Sequence, residues 1–154
     1  MFVGIKIILA KAHENQMNHP EVQRELTDIQ TFFSEKEFDL QVNAVNFVIL
    51  RGLYSHTDRI LTVIGVFVNN TDKTINSLKT ELTFHIRENN EAKLSGVKLD
   101  LPQKFLGNLH PNEGFVLHIK VLVKGLTDEK EIFQATELSG AIRNVELAYP
   151  LSKD

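Results

Sequence analysis

The chain has 154 residues, is 42% apolar and 24% charged, and carries a net charge of −3. That balance fits one globular domain and argues against wholesale disorder, and the interspersed signs supply neither a basic surface for nucleic acid nor a polybasic patch for an anionic membrane. The absence of cysteine excludes disulfides, thiolate zinc sites, iron–sulfur clusters and a cysteine nucleophile, and no apolar run approaches the ~20 residues of a membrane helix.

The first twelve residues, MFVGIKIILAKA, are apolar and end in a small-x-small sequence resembling a cleavage site. A secretory signal needs a basic start and a longer apolar run, whereas Lys6 interrupts this one. An edge strand or an unstructured leader is the expectation, and Met17 offers an alternative start. Residues 20–33 carry the helix signal. Val22, Leu26, Ile29 and Phe33 make one apolar stripe, Pro20 suits the first turn, and Glu21 complements the dipole there. Asn18 or His19 would cap it.

Strands follow. Residues 39–50 alternate on Leu40, Val42 and Ala44, then change phase to Val45, Phe47 and Ile49, which predicts a β-bulge near Ala44. Residues 52–58 read as a loop. Residues 60–68 are almost continuous Val, Ile, Leu and Phe, a central strand buried on both faces, with Gly65 marking a bulge or a close approach of backbone. Thr71–Thr74 is a polar break. Beyond it Leu82, Phe84 and Ile86 alternate with Glu81, Thr83, His85 and Arg87, so residues 60–87 read as a hairpin. After a turn at 88–91 comes a short strand at 97–101. A crossover from 105 to 114 ends in Pro111-Asn112-Glu113-Gly114. Residues 115–124 place Phe115, Leu117, Ile119, Val121 and Val123 inward and His118, Lys120 and Lys124 outward. A turn at 125–130 precedes the last strands, 131–135 and 143–149, joined through Leu138-Ser139-Gly140. Ten Phe, two Tyr and no Trp suit core filling better than a carbohydrate platform. Phe67, Phe84, Leu117, Ile119 and Val121 are the expected core.

Short strands at intervals of about ten residues predict a mainly β fold, a two-sheet sandwich with one N-terminal helix. The division expected is 1–38 for leader and helix and 39–154 for the sandwich. The segments VFVNNTDKTI (66–75), LKTELTFHIRENNEAKL (78–94) and LGNLHPNEGFVLHIKV (106–121) resemble small bacterial immunoglobulin-like sandwiches, the FxLYD-type and SLAP-type domains of Gram-positive organisms. The resemblance spans about residues 39–124. It implies an immunoglobulin-like topology and a role in surface attachment or protein contact, and brings no active-site residues. Where an FxLYD string would stand, this chain reads Leu82-Thr83-Phe84-His85-Ile86.

Chemistry-bearing residues are sparse. The six histidines show no HxH or HxxxH spacing. His85 and His118 lie on outward faces of strands that could share a sheet, where a metal or pH-sensing pair would form; two solvated strand histidines are the simpler reading. The carboxylate groups Glu35/Glu37/Asp39 and Asp128/Glu129/Glu131 read as solvated turn charges. No serine has a GxSxG context, and Asn69-Asn70-Thr71 is a formal glycosylation sequon that suits left-handed turn geometry. The expectation is a non-enzymatic interaction or scaffold module without cofactor, cytoplasmic or surface-associated, with a protein partner or a second copy of itself. A small-ligand binder with a pocket between helix and sheets is the rival reading, and a hydrolase with a dispersed site a more distant one.

Overall fold

A computed structural model describes residues 4–35, 40–87, 89, 91–126 and 130–150. The elements are β1 (Lys6–Ile8), a 3₁₀ turn (Lys11–Gln16), α1 (Pro20–Glu35), β2 (Ala44–Ser55), β3 (Ile60–Asn70), β4 (Ser77–Ile86), β5 (Lys93–Leu94), β6 (Val97–Leu101), α2 (Gln103–Leu106), β7 (Glu113–Lys124), β8 (Ile132–Gln134) and β9 (Leu138–Ala148). They form two sheets. The larger runs β1-β7-β3-β2-β8, with β5 also on β7, and the smaller runs β6-β4-β9.

The expected two-sheet sandwich with one N-terminal helix is therefore the fold. Its core lies between the sheets, and Phe67, Phe84, Leu117, Ile119 and Val121 are all buried there. β3 is central and buried along nearly its whole length. Gly65 on β3 marks a close approach: a Cβ there would lie 2.3 Å from Cζ of Phe47. The bulge sits beside it, with Ile49 opposite Gly65 and Arg51 opposite Ile64, so Leu50 is the inserted residue. A bulge at Ala44 is not found. The phase change there is the start of the strand, because Leu40 and Val42 precede β2.

The hairpin expected over 60–87 is corrected. β3 and β4 belong to different sheets, and the chain crosses the sandwich between them. Alternation tells which face of a strand is buried, not which strand it pairs. What holds the crossing is Asn69, fully buried within β3. Its Nδ2 donates to the carbonyls of Lys73 (2.8 Å) and Leu109 (3.0 Å), and its Oδ1 accepts from the Thr71 amide (3.0 Å) and hydroxyl (2.6 Å). The sequon asparagine thus spends its amide inside the fold and serves no left-handed turn. Asn69→Ala should cost about 1–3 kcal/mol, since it strands buried carbonyls. Urea unfolding measures this, and an unchanged midpoint would mean that water replaces the side chain.

Two further boundaries move. Gly52–Ser55, expected in a loop, continue β2, and the turn to β3 is 56–59 with Arg59 at φ 57°. Leu138-Ser139-Gly140 open β9 rather than lead to it. Glu88, Asn90 and 127–129 of the expected turns lie outside the described residues.

The helix stripe has its own partner. Ile29 and Phe33 pack on the outer face of the large sheet against Ile64, Val66, Val68 and Val116, together with Ile5 and Ile7 from β1. Gln30 fixes this arrangement. Its Oε1 accepts from the Ile7 amide (2.8 Å) and its Nε2 donates to the Ile5 carbonyl (2.9 Å), so a side chain occupies the outer edge of β1 as another strand would. The segment before residue 38 thus shares an apolar layer with β3 and β7. No helix among the described residues is long and apolar enough to cross a membrane.

Candidate functional site

α1 covers the outer face of the large sheet unevenly. Its C-terminal half seats Ile29 and Phe33, while its first turns stand off from β7. The 3₁₀ turn at Lys11–Gln16 packs on α2, which brings His13 edge-on to Phe105, ring centroids 5.1 Å apart. Between these elements lies an open cleft of about 1120 Å³. Leu9, Val22, Phe105, Val116 and Leu117 give it apolar walls. His13, Asn15, Gln16, Asn18, His19, Glu21, Glu25 and His118 supply polar groups.

Periodicity explains how these residues meet. His118 is an outward position of β7, because its neighbours Leu117 and Ile119 face the core. Glu21, Val22 and Glu25 lie on the first turns of α1, toward the same strand. His118 Nε2 and Glu25 Oε1 are 2.8 Å apart and tie helix to sheet across 93 residues of sequence. The imidazole is half exposed, so this pair contributes little stability of its own. A smaller cleft of about 380 Å³ lies on the other flank of α1, between Arg24, Asp28 and Phe32 and the strand residues Leu50, Arg51 and Ile64.

His85 and His118 do not come together. His85 is exposed on β4 of the small sheet, opposite Ser139, whereas His118 stands on β7 of the large sheet, opposite Ile64. Among the described residues no group of three or more His, Cys, Asp or Glu could hold a metal ion. Glu35 and Glu131 are exposed, and Glu37, Asp39, Asp128 and Glu129 lie outside the described residues. What sequence reasoning missed is the meeting of His13, His19 and His118 in one cleft. The outward phase of His118 and the helical phase of Glu25 were both legible, but not that α1 lies over β7.

The cleft's described lining offers imidazole, carboxylate and amide groups, and no Ser, Thr, Lys or Arg. It can accept hydrogen bonds and attract positive charge, and its walls can bury an apolar group. Compared with protein-family models, curated proteins and solved structures, the chain matches none.

Proposed function

We propose that this protein is a non-enzymatic, immunoglobulin-like interaction module that holds a short extended segment of a partner protein in the cleft between α1 and β7. The cleft itself carries this reading: apolar walls, two glutamates, no Lys or Arg among its described lining, and an open volume of about 1120 Å³. The ligand chemistry this favours is a Lys or Arg beside a Leu or Phe. The crossing of the chain between sheets, with β2, β3 and β7 in one and β4, β6 and β9 in the other, supports the immunoglobulin-like reading. A bacterial protein of the cytoplasm or cell surface would use such a module for protein contact.

The second reading is a small-ligand binder at the same place, favoured by the convergence of three imidazoles and two carboxylates. One titration separates the two. The ¹⁵N-labelled chain is exposed to short peptides pairing Lys or Arg with Leu or Phe, and in parallel to phenethylamine. Peptide binding should move the amide signals of His13, Glu25, Phe105 and His118. Val22→Trp should weaken it more than about tenfold, and Glu25→Gln about threefold. An equal response to phenethylamine points to the small ligand. Shifts confined to other surfaces, or affinities untouched by both substitutions, remove the cleft from consideration.

A further inference from the structure

The small sheet ends in β9, an eleven-residue strand paired with β4 on one side and with no described strand on the other. Its outward face is patterned. Asp100, Lys79 and Glu146 stand in one cross-strand row, and Lys98, Glu81 and Arg143 in the next. Sign alternates along each row and between the rows. Lys98 Nζ is 3.8 Å from Glu81 Oε1, and Asn144 Nδ2 donates to Glu81 Oε2 at 2.5 Å. At β9 the rows stop, leaving Glu146 and Arg143 at the open edge.

A bulge sets their phase. The pairing shifts between Lys79 and Glu81, and Asn144 adopts φ 52°. Arg143 and Glu146 therefore share a face, although an unbroken strand would point them to opposite faces. By the same shift Ile142 and Leu147 both face inward, opposite Leu82 and Leu78, and remain only half buried.

We infer that β9 pairs antiparallel with the β9 of a second copy, about a two-fold axis between Asn144 and Val145, joining the two small sheets into one. In this register Arg143 faces the partner's Glu146, and Glu146 faces the partner's Arg143. On the core side Ile142 meets the partner's Leu147, and on the outward face Ala141 lies opposite the partner's Ala148. The alternation of charge runs unbroken across the seam. Registers centred on Arg143 or on Glu146 set like charges directly opposite and are disfavoured. The bulge, which usually blunts an edge, here gives the strand the parity that this register needs. Val145, 39% exposed, lies beside the axis and gains cover. A two-fold contact of this kind closes after two copies and does not propagate.

Sedimentation of the full chain should show a dimer that weakens as salt is raised. Arg143→Glu and Glu146→Arg each turn both seam pairs into like-charge pairs, and each should weaken the dimer by roughly tenfold to a hundredfold. Mixed in equal amounts, the two variants restore both opposite pairs and should form a heterodimer. Circular dichroism establishes that each variant is folded. A monomeric full chain, a dimer indifferent to both reversals, or folded variants that stay apart on mixing would each overturn the assignment. Should a reversal prevent folding, the cysteine-free chain allows a second test. Val145→Cys should oxidise to a covalent dimer, and Leu122→Cys, the more accessible of the two positions and on the other sheet, should not. Equal cross-linking of both also overturns it.

Discussion

Shortening the chain to begin at Asp39 should abolish stable folding. Such a chain lacks β1 and α1, whose Ile5, Ile7, Ile29 and Phe33 form one side of the apolar layer on the outer face of the large sheet. Removing them uncovers Ile64, Val66, Val68 and Val116, now between 0% and 5% exposed. Each side chain of this size gains about 1.5–3 kcal/mol by burial, so losing four of them removes roughly the whole stability of an ordinary domain. The uncovered strands would also present a contiguous apolar patch, which promotes aggregation. Because aggregation alone could have other origins, Phe33→Ala in the full chain tests the same contact gently. Phe33 is fully buried, and its truncation should cost about 3–5 kcal/mol in urea unfolding. A shortened chain that stays free of aggregation and melts with the full one would show that the helix is dispensable to the sandwich.

That dependence was half visible in the sequence. The stripe Val22, Leu26, Ile29 and Phe33 announces a helix that must cover something, since helical periodicity is a local property. What it covers is not local. The outward residues of β3 are as apolar as the inward ones, which marks a strand buried on both faces, yet nothing in the string says that the second cover is α1. The strands divide in the same way. The faces of Phe115, Leu117, Ile119, Val121 and Val123 on β7 are legible one by one, because alternation fixes the face. The pairing of β3 with β4 is not legible, because a polar break between two strands looks alike whether the chain turns back or crosses over. The discriminating contacts come from Asn69 to the Leu109 carbonyl, 40 residues away. The cleft is the extreme case. His13, Glu25, Phe105 and His118 come from four separate elements, and no spacing rule collects them. His85 and His118 looked like a pair only while their strands had no assigned sheets.

Replacing Phe84 by alanine should cost as much as the loss of Phe33, because this ring ties the small sheet to the large one. Phe47, Phe67 and Phe115 form a chain of rings across the large sheet. Phe67 stacks on Phe115 at 5.4 Å, and Phe47 tilts over Phe67 at 4.7 Å. Phe84 reaches them from β4, edge-on to Phe47 at 6.0 Å, and is 2% exposed. Two glycines make room for this cluster. A Cβ at Gly65 would overlap the Phe47 ring, and one at Gly140 would lie 3.1 Å from Phe84. The surrounding rings are fixed by one another, so the void left by Phe84→Ala cannot collapse readily, and the cost should be about 3–5 kcal/mol. Phe84→Leu keeps most of the volume and should lose about half of that or less. Urea unfolding measures both, with a lowered midpoint and an unchanged slope as the expected form. A loss below about 1 kcal/mol for Phe84→Ala would mean that β4 does not turn this face to the large sheet. Gly65→Ala probes the same cluster from the other side: it should be destabilising although it adds only one methyl group, and its cost should shrink in a Phe47→Leu background, where the ring that blocks it is gone.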